Sequence, residues 1–196
     1  GKTYVSYLQG KHIAPYQLKP LSLYLNFQKE LLHSNTDETV YNLPEKILVR
    51  KTGNVLMAAL DDKQYYTDQS LYNLYLKQGS TYNNKVLLAI LNSKLMNFYY
   101  NTKLITNADV FPYIKGIHLK SFPLPNVSNE YIQRIEQRVL QLQTALCKGN
   151  DDVEEKLFEN IDELVYKLYG LTYDEVLIVD PDTPITREEY EAYKGE

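Results

Sequence analysis

Cysteine, tryptophan and histidine are scarce or missing in this sequence of 196 residues. It has no tryptophan, three histidines and one cysteine, so an intramolecular disulfide is impossible. Cys147 lies among leucines, which favours a small buried hydrophobe over a nucleophile, and a reducing, cytoplasmic setting is expected. His12, His33 and His118 are far apart in sequence. Each is predicted to be a surface or hydrogen-bonded histidine rather than a metal ligand.

Membrane and catalytic signatures are missing as well. No apolar run approaches the roughly 20 residues of a membrane span, and the start has no secretory signal. The sequence contains no G-x-G-x-x-G loop, no Walker lysine loop and no H-E-x-x-H motif. Asp61-Asp62-Lys63 could serve a metal-dependent nuclease, but a solvated turn is the favoured interpretation. Asp180 and Asp182 flank a proline, where a third metal ligand is hard to supply. Whether the protein is an enzyme therefore stays open.

Charge and tyrosine are unevenly distributed along the chain. Residues 1–125 carry 14 basic and 8 acidic residues, a formal charge of +6, whereas residues 126–196 carry 7 basic and 17 acidic residues, a charge of −10. Of the 19 tyrosines, 13 fall in residues 1–113. This asymmetry favours a first part that faces a polyanion and a second part that avoids one, with tyrosines as stacking surfaces. A tyrosine-rich core explains the tyrosines equally well.

Short strands joined by turns are predicted for the first half of the chain. The predicted strands cover residues 3–8, 46–50, 55–60, 64–67 and 71–77, and the last is ambiguous between strand and helix. A helix-like stretch lies around residues 21–32. Turns at residues 51–54 and at Asp61-Asp62 would join the three strands between residues 46 and 67 into an antiparallel meander.

The segment "AILNSKLMNFYY" (89–100) predicts a bent helix. Asn83 or Asn84 can cap its start. Its apolar side carries Leu87, Leu91, Leu95 and Phe98, and its other side carries Ser93, Lys94 and Asn97. The apolar stripe shifts near Asn92-Ser93, which indicates a bend or two short helices end to end. We expect the helix to present a short polar, basic face there.

Two apolar seams predict a helical hairpin after residue 125. A strand at residues 117–119 and an extended exit at Pro123 and Pro125 precede it. Ser128 or Asn129 can cap the first helix, Gly170 suits the end of the second, and Thr172-x-x-Glu175 is a capping box. The seams consist of Ile132, Ile135, Val139, Leu142 and Leu146, and of Leu157, Ile161, Leu164 and Leu168.

These patterns predict an α+β fold with a mainly antiparallel sheet and flanking helices, followed by a C-terminal antiparallel helical hairpin. The predicted division is residues 1–125 as a mixed domain, residues 126–180 as the hairpin region and residues 181–196 as an acidic tail that is poorly ordered.

Basic and polar residues of the first part are the candidates for DNA binding. Arg can read guanine, Asn can read adenine, and Lys mostly contacts phosphate. Taken singly, each is an ordinary solvated side chain, so the hypothesis depends on their concentration in one half. We expect Arg50, Lys63, Lys94 and Lys115 to share one electropositive surface. The candidates are Lys46, Arg50, Lys51, Thr52, Asn54, Lys63, Tyr65, Tyr66, Lys94, Asn97, Lys103, Lys115 and Lys120.

Several segments carry a family resemblance. "PEKILVRKTGNVLMAALDDKQYYT", "LLAILNSKLMNFYY", "HLKSFPLP" and the helix from Asn129 resemble the TaqI-like C-terminal specificity domain, the target-recognition part of adenine-specific DNA methyltransferases and fused restriction-modification enzymes. "LQGKHIAPY" (8–16) resembles the entry to that domain and "VYKLYGLTYDEVLIV" (165–179) its closing helix. "ILNSKLMNFYY" together with "KILVRKTG" is a fairly specific combination.

The resemblance implies a twisted sheet that enters the major groove of double-stranded DNA. An N-terminal catalytic domain of the same parent chain would flip and methylate adenine with S-adenosylmethionine. The catalytic Asn/Asp-Pro-Pro-Tyr/Phe motif does not occur here, so no cofactor is expected in this chain. A start at Gly1-Lys2 rather than Met fits a piece of a longer protein. The alternative hypothesis is a helical protein–protein interaction module built on the 129–169 hairpin, and a metal-dependent nuclease is a third.

Overall fold

The computed structural model describes residues 4–19, 22–32, 34–104 and 112–193 and confirms the α+β class. The strands are β1 (Tyr4–Leu8), β2 (Ile13–Ala14), β3 (Gln17–Leu18), β4 (Tyr24–Asn26), β5 (Lys46–Arg50), β6 (Ala58–Asp61), β7 (Tyr66–Thr67) and β8 (Leu71–Leu74). The helices are α1 (Glu38–Tyr41), α2 (Asn84–Asn92), α3 (Lys94–Tyr99), α4 (Gly116–Ser121), α5 (Asn129–Lys148), α6 (Asp151–Leu168), α7 (Tyr173–Val179) and α8 (Arg187–Ala192). The prediction for His33 lies outside the described residues.

Strand β5 is the centre of the fold. It pairs antiparallel with β6 on one side and with β8 on the other, with Leu48 opposite Ala59 and Asn73. Its first four residues are all buried, because helices and a second small cluster cover both faces of the sheet. The strands predicted at residues 46–50 and from residue 71 are thus confirmed.

The predicted meander is wrong at its third strand. β7 does not pair with β6; it pairs in parallel with β1, and β1 pairs antiparallel with β4 on its other side. The chain leaves β6 at Asp61, whose carboxylate accepts hydrogen bonds from the backbone N–H groups of Lys63 and Tyr65 at 2.9 and 3.0 Å. These bonds close a turn that directs the chain away from β6.

Two further predicted elements differ from the structure. The helix-like stretch at residues 21–32 holds β4 and a 3₁₀ turn at Lys29–Leu31, because Leu23, Leu25 and Phe27 alternate at the period of a strand. The strand predicted at residues 117–119 is helix α4, in which the backbone N–H of His118 bonds to the carbonyl of Lys115 at 2.9 Å. Both segments are short, and periodicity discriminates poorly at that length.

The bent helix is confirmed as two helices end to end. Asn83 caps α2 by accepting a hydrogen bond from the backbone N–H of Val86 at 2.9 Å. α2 ends at Asn92, and Ser93 caps α3 by accepting from the backbone N–H of Met96 at 3.1 Å. A π-helical turn, Tyr100–Leu104, continues α3.

The C-terminal hairpin is confirmed with its predicted ends. Ser128 caps α5, Gly149 ends it at φ 66°, and Gly170 takes φ 70° after α6. Thr172 and Glu175 form the capping box of α7. Both seams contribute to one hydrophobic cluster with α2 and the β5 sheet. That cluster takes side chains from both sides of residue 125. The division of the chain into units at that residue stays a prediction.

The acidic tail and the cysteine differ from expectation. Helix α8 folds back because Tyr190 is buried, and its hydroxyl donates a hydrogen bond to the carbonyl of Leu171 at 2.7 Å. Cys147 is exposed at the end of α5 rather than buried, because the seam side of the helix carries Leu142 and Leu146 instead. Among the described residues, no helix combines the length and the apolar character that crossing a bilayer requires.

Candidate nucleic-acid interface

The turn after β5 is held against the segment before α4. The backbone N–H of Ile114 bonds to the carbonyl of Lys51 at 2.7 Å, and that of Gly53 bonds to the carbonyl of Pro112 at 2.9 Å. Gly53 adopts φ 124°, a conformation that a side chain would strain. Thr52 and Tyr113 also form a β-bridge. Two segments that lie 60 residues apart in sequence therefore form one surface.

Cations of both segments lie beside aromatic rings on this surface. The ammonium of Lys51 is 4.3 Å from the centroid of Tyr72, and that of Lys115 is 5.8 Å from the centroid of Tyr113. Partial burial lowers the pKa of Lys51, and the negative charge of Asp68 opposes that shift. The two segments together form the basic turn surface, which consists of Arg50, Lys51, Thr52, Asn54, Tyr113 and Lys115.

Ion pairing separates the candidate cations into two groups. Lys46, Lys63 and Lys94 each have a carboxylate partner, namely Asp61, Asp62 and Asp180. Within residues 4–19, 22–32, 34–104 and 112–193, no carboxylate lies within 4.0 Å of the remaining five candidates. These five are Arg50, Lys51, Lys103, Lys115 and Lys120. A cation without a carboxylate partner is available to a phosphate without first losing an ion pair.

Lys46 is part of the core rather than of an exposed hairpin. Its ammonium lies 2.5 Å from the carboxylate of Asp61, and both side chains are 0% exposed. Lys46, which was predicted to contact DNA, is therefore not part of the basic turn surface. Asp61 is fully engaged as a structural group, and the described part of the chain contains no cluster of three or more potential metal ligands. Nothing in this arrangement therefore supports the nuclease hypothesis.

Lys63, Tyr65 and Tyr66 lie away from the basic turn surface. Lys63 comes two residues after Asp61, which pairs with Lys46, the first residue of β5. The basic turn begins at Arg50, the last residue of that strand. Tyr66 stacks on Tyr41 at 4.1 Å, and Tyr65 packs on the smaller hydrophobic cluster. The structure thus places Lys63 beyond the opposite end of β5 from Arg50, and Tyr65 and Tyr66 pack on other side chains of the fold.

The polar residues in the middle of the bent helix hold the fold together. The side chain of Asn92 accepts a hydrogen bond from the backbone N–H of Ala58 at 2.9 Å and donates to its carbonyl at 3.0 Å. Asn97 accepts from the backbone N–H of Leu56 at 2.7 Å. The ammonium of Lys94 donates to Asp180 at 2.8 Å. These polar groups therefore bind the β6 segment and the C-terminal helices, and the side chain of Lys94 stays 47% exposed.

The expectation that four cations share one surface stays a prediction for Arg50 and Lys115, which belong to the two hydrogen-bonded segments of the basic turn surface. Lys63 and Lys94 lie elsewhere, beside Asp62 and Asp180. Lys120 is exposed on α4, the helix that begins after Lys115. Lys103 is exposed in the π-helical turn. Sequence reasoning missed Tyr72 and Tyr113. A tyrosine two residues before Lys115 was the available signal for Tyr113.

Comparison with known proteins gives a family and a fold. Residues 5–124 match the family described as the TaqI-like C-terminal specificity domain. The curated "Putative type II restriction enzyme and methyltransferase RM.MjaORFECS2P" of Methanocaldococcus jannaschii is 29% identical over 181 residues, which cover 85% of this chain. The chain spans only 14% of that relative's length.

A solved structure shares the fold. The Type IIL restriction-modification enzyme MmeI, determined in complex with DNA, superposes with a TM-score of 0.52 at 10% sequence identity. The match covers 76% of this chain and 21% of the MmeI chain. At that identity the similarity shows the architecture alone.

Proposed function

Because the chain belongs to the family of TaqI-like C-terminal specificity domains, we propose that it binds double-stranded DNA as the target-recognition domain of an adenine-specific methyltransferase or a fused type II restriction-modification enzyme. The observation that carries this proposal is the turn after β5, which is hydrogen-bonded to residues 112–114, because the two segments bear Lys51 and Lys115 beside tyrosine rings and without carboxylate partners among the described residues. Exposed Thr52 and Asn54 lie on the same turn.

The chemistry of this surface suits a duplex. Lysine ammonium groups neutralise phosphates and supply affinity without sequence information. Arg50 and Asn54 add donors that can pair with guanine and adenine edges in the major groove. Tight hydrogen bonding of the turn to residues 112–114 keeps these side chains in a fixed relation, which reading a base edge requires.

Methyl transfer itself would belong to a linked N-terminal domain that binds S-adenosylmethionine, acting in the cytoplasm. The present sequence contains neither the catalytic motif nor a cofactor-binding glycine loop. The alternative of a helical interaction module receives no support from the two seams, because their central residues are buried within the protein.

Duplex binding is expected to weaken steeply with salt. If the five cations that have no carboxylate partner in the described part of the chain each neutralise one phosphate, log K should fall against log salt with a slope of about −4.5. Fluorescence anisotropy with a labelled duplex at several salt concentrations measures this slope. A flat response, or no binding at low salt, would contradict the proposal.

The double variant Lys51→Gln/Lys115→Gln should make the slope shallower by about 1.8 and weaken binding to all duplexes alike. Lys63→Gln is the matched control, because Lys63 is exposed and charged but lies beyond the other end of β5. The control should bind as the wild type does. If Lys63→Gln weakened binding as much as the double variant, the surface would be misplaced.

A further inference from the structure

A cavity of about 330 Å³ opens beside the β4–β1–β7 sheet. Aromatic rings line much of it. Tyr41 stacks on Tyr66 with 4.1 Å between centroids, and Phe27 meets the ring of Tyr66 edge-on at 4.9 Å. Tyr7 lies in the wall, in the strand that pairs with β7. Its volume lies at the small end of the range of ligand sites, so the cavity suits one small, flat group.

The polar lining of the cavity holds both hydrogen-bond donors and acceptors, and among the described residues its one carboxylate is that of Asp68. One carboxylate oxygen of Asp68 accepts from the backbone N–H of Ser70 at 2.8 Å and from its hydroxyl. The carboxylate also acts on the hydroxyl of Tyr7 in the cavity wall, and the pKa of Tyr7 is raised by burial first and by the charge of Asp68 second. The amide nitrogen of Asn35 donates to the carbonyl of Asp68 at 2.6 Å, which leaves its side-chain oxygen as a second acceptor. A ligand that has N–H donors as well as a flat face can therefore pair with Asp68 and Asn35.

Ser70 connects the cavity wall to the basic turn surface. Its carbonyl accepts a hydrogen bond from the backbone N–H of Lys51 at 3.0 Å, and its N–H and hydroxyl both bind Asp68. Gly10 donates its backbone N–H to the same hydroxyl at 2.8 Å. A nucleic acid whose phosphates lie on Lys51 thus has the cavity within reach of a base that has left the stack.

From this arrangement we propose that the cavity binds an unstacked nucleobase that bears an exocyclic amino group. The inference rests on the proposed function, because DNA held on the basic turn surface would deliver the base. The base would stack on the tyrosine and phenylalanine rings, and its amino group would donate to Asp68 and Asn35. Every base has a face that can stack, but the two acceptors favour adenine, cytosine and guanine over thymine.

The test compares duplexes that differ only in one unpaired nucleotide. One duplex is fully paired, one carries a single unpaired deoxycytidine, and one carries an abasic residue at the same position. The last two have the same charge, so their difference reports the base alone. By anisotropy, the chain should bind the deoxycytidine duplex about fivefold or more tighter than the abasic duplex, as stacking of one base on an aromatic side chain implies.

Two variants test different contacts of the cavity. Asp68→Asn removes the acceptor charge while keeping an oxygen for Ser70, and Tyr66→Leu removes a ring on which the base would stack. Both should reduce the preference for the unpaired base to less than twofold. Tyr24→Ala is the control, because Tyr24 is 67% exposed on the adjacent strand and does not line the cavity. It should keep the full preference.

The outcomes separate this inference from the proposed function. Equal binding of the deoxycytidine and abasic duplexes, with normal binding of the paired duplex, would overturn the inference and leave the proposed function intact. If no duplex binds, the proposed function fails. Two separate NMR titrations of the protein, one with free deoxycytidine and one with methylguanidinium, then test the cavity alone. Shifts of cavity signals with deoxycytidine would support the assignment, and shifts with methylguanidinium only would show that the cavity binds a cation instead.

Discussion

The substitution Asp61→Ala is expected to lower the free energy of unfolding by about 3–5 kcal/mol, because it leaves the ammonium of Lys46 buried without a partner. The two side chains are 0% exposed and 2.5 Å apart. The same carboxylate also accepts the backbone N–H groups of Lys63 and Tyr65, so those donors lose their partner as well. Urea unfolding followed by circular dichroism measures the loss.

Two further variants test the cause. Lys46→Met/Asp61→Ala should recover part of the stability, because no buried charge then remains. Asp62→Ala is the control. The pair of Asp62 with Lys63 is 3.4 Å apart and solvent-exposed, and such pairs contribute about 0–1 kcal/mol. A double variant that is less stable than Asp61→Ala alone would show that Lys46 stabilises the core without its carboxylate.

Asp162 should make the protein less stable as the pH rises from about 4 to 7. The pKa of Asp162 is raised to about 7, chiefly by burial and in smaller part by the negative charges of Asp180 and Glu159. The backbone N–H and the ammonium of Lys94 oppose this shift. The folded state therefore holds a proton that the unfolded state has lost above its pKa of 3.8. Because one pKa unit corresponds to about 1.4 kcal/mol, the loss approaches roughly 4 kcal/mol and is complete above pH 7.

Asp162→Asn removes this titration while its oxygen can still accept the hydrogen bond that Lys94 donates from its backbone N–H at 2.8 Å. The variant should unfold at higher urea concentration than the wild type at pH 8, and the difference should shrink towards pH 5. Glu155→Gln, at an exposed position of the same helix, should follow the wild type at both values. Parallel pH profiles for the wild type and Asp162→Asn would rule out a raised pKa.

Local signals were enough to predict much of the fold. The caps at Asn83, Ser128 and Thr172 and the helix end at Gly170 depend on neighbouring residues, so the sequence carries them directly. The seams of α5 and α6 were predictable for the same reason, since their period is a property of the helix itself. The parallel pairing of β7 with β1 could not be predicted, because no local sequence pattern identifies which distant strand is the partner.

The candidate site shows where charge in the sequence misleads. Lys46, Arg50 and Lys51 are close in sequence, yet the first is sealed in the core and the others are accessible. What separates them is the partner across the sheet, since Lys46 lies opposite Asp61 in the β5–β6 register. Counting residues back from the predicted turn at 51–54 would have paired Lys46 with Ala59, two residues short of the observed partner. The hydrogen bonding of residues 112–114 to the turn is a tertiary contact, which no local sequence pattern predicts.

The exposed thiol at the end of α5 has a practical consequence. Cys147 is the one cysteine in the sequence, and it is not among the residues of the basic turn surface. A maleimide dye would therefore attach to a single known position without any change to the chain. Energy transfer from that dye to a labelled oligonucleotide end would report the orientation in which the duplex is held, a quantity that no affinity measurement yields.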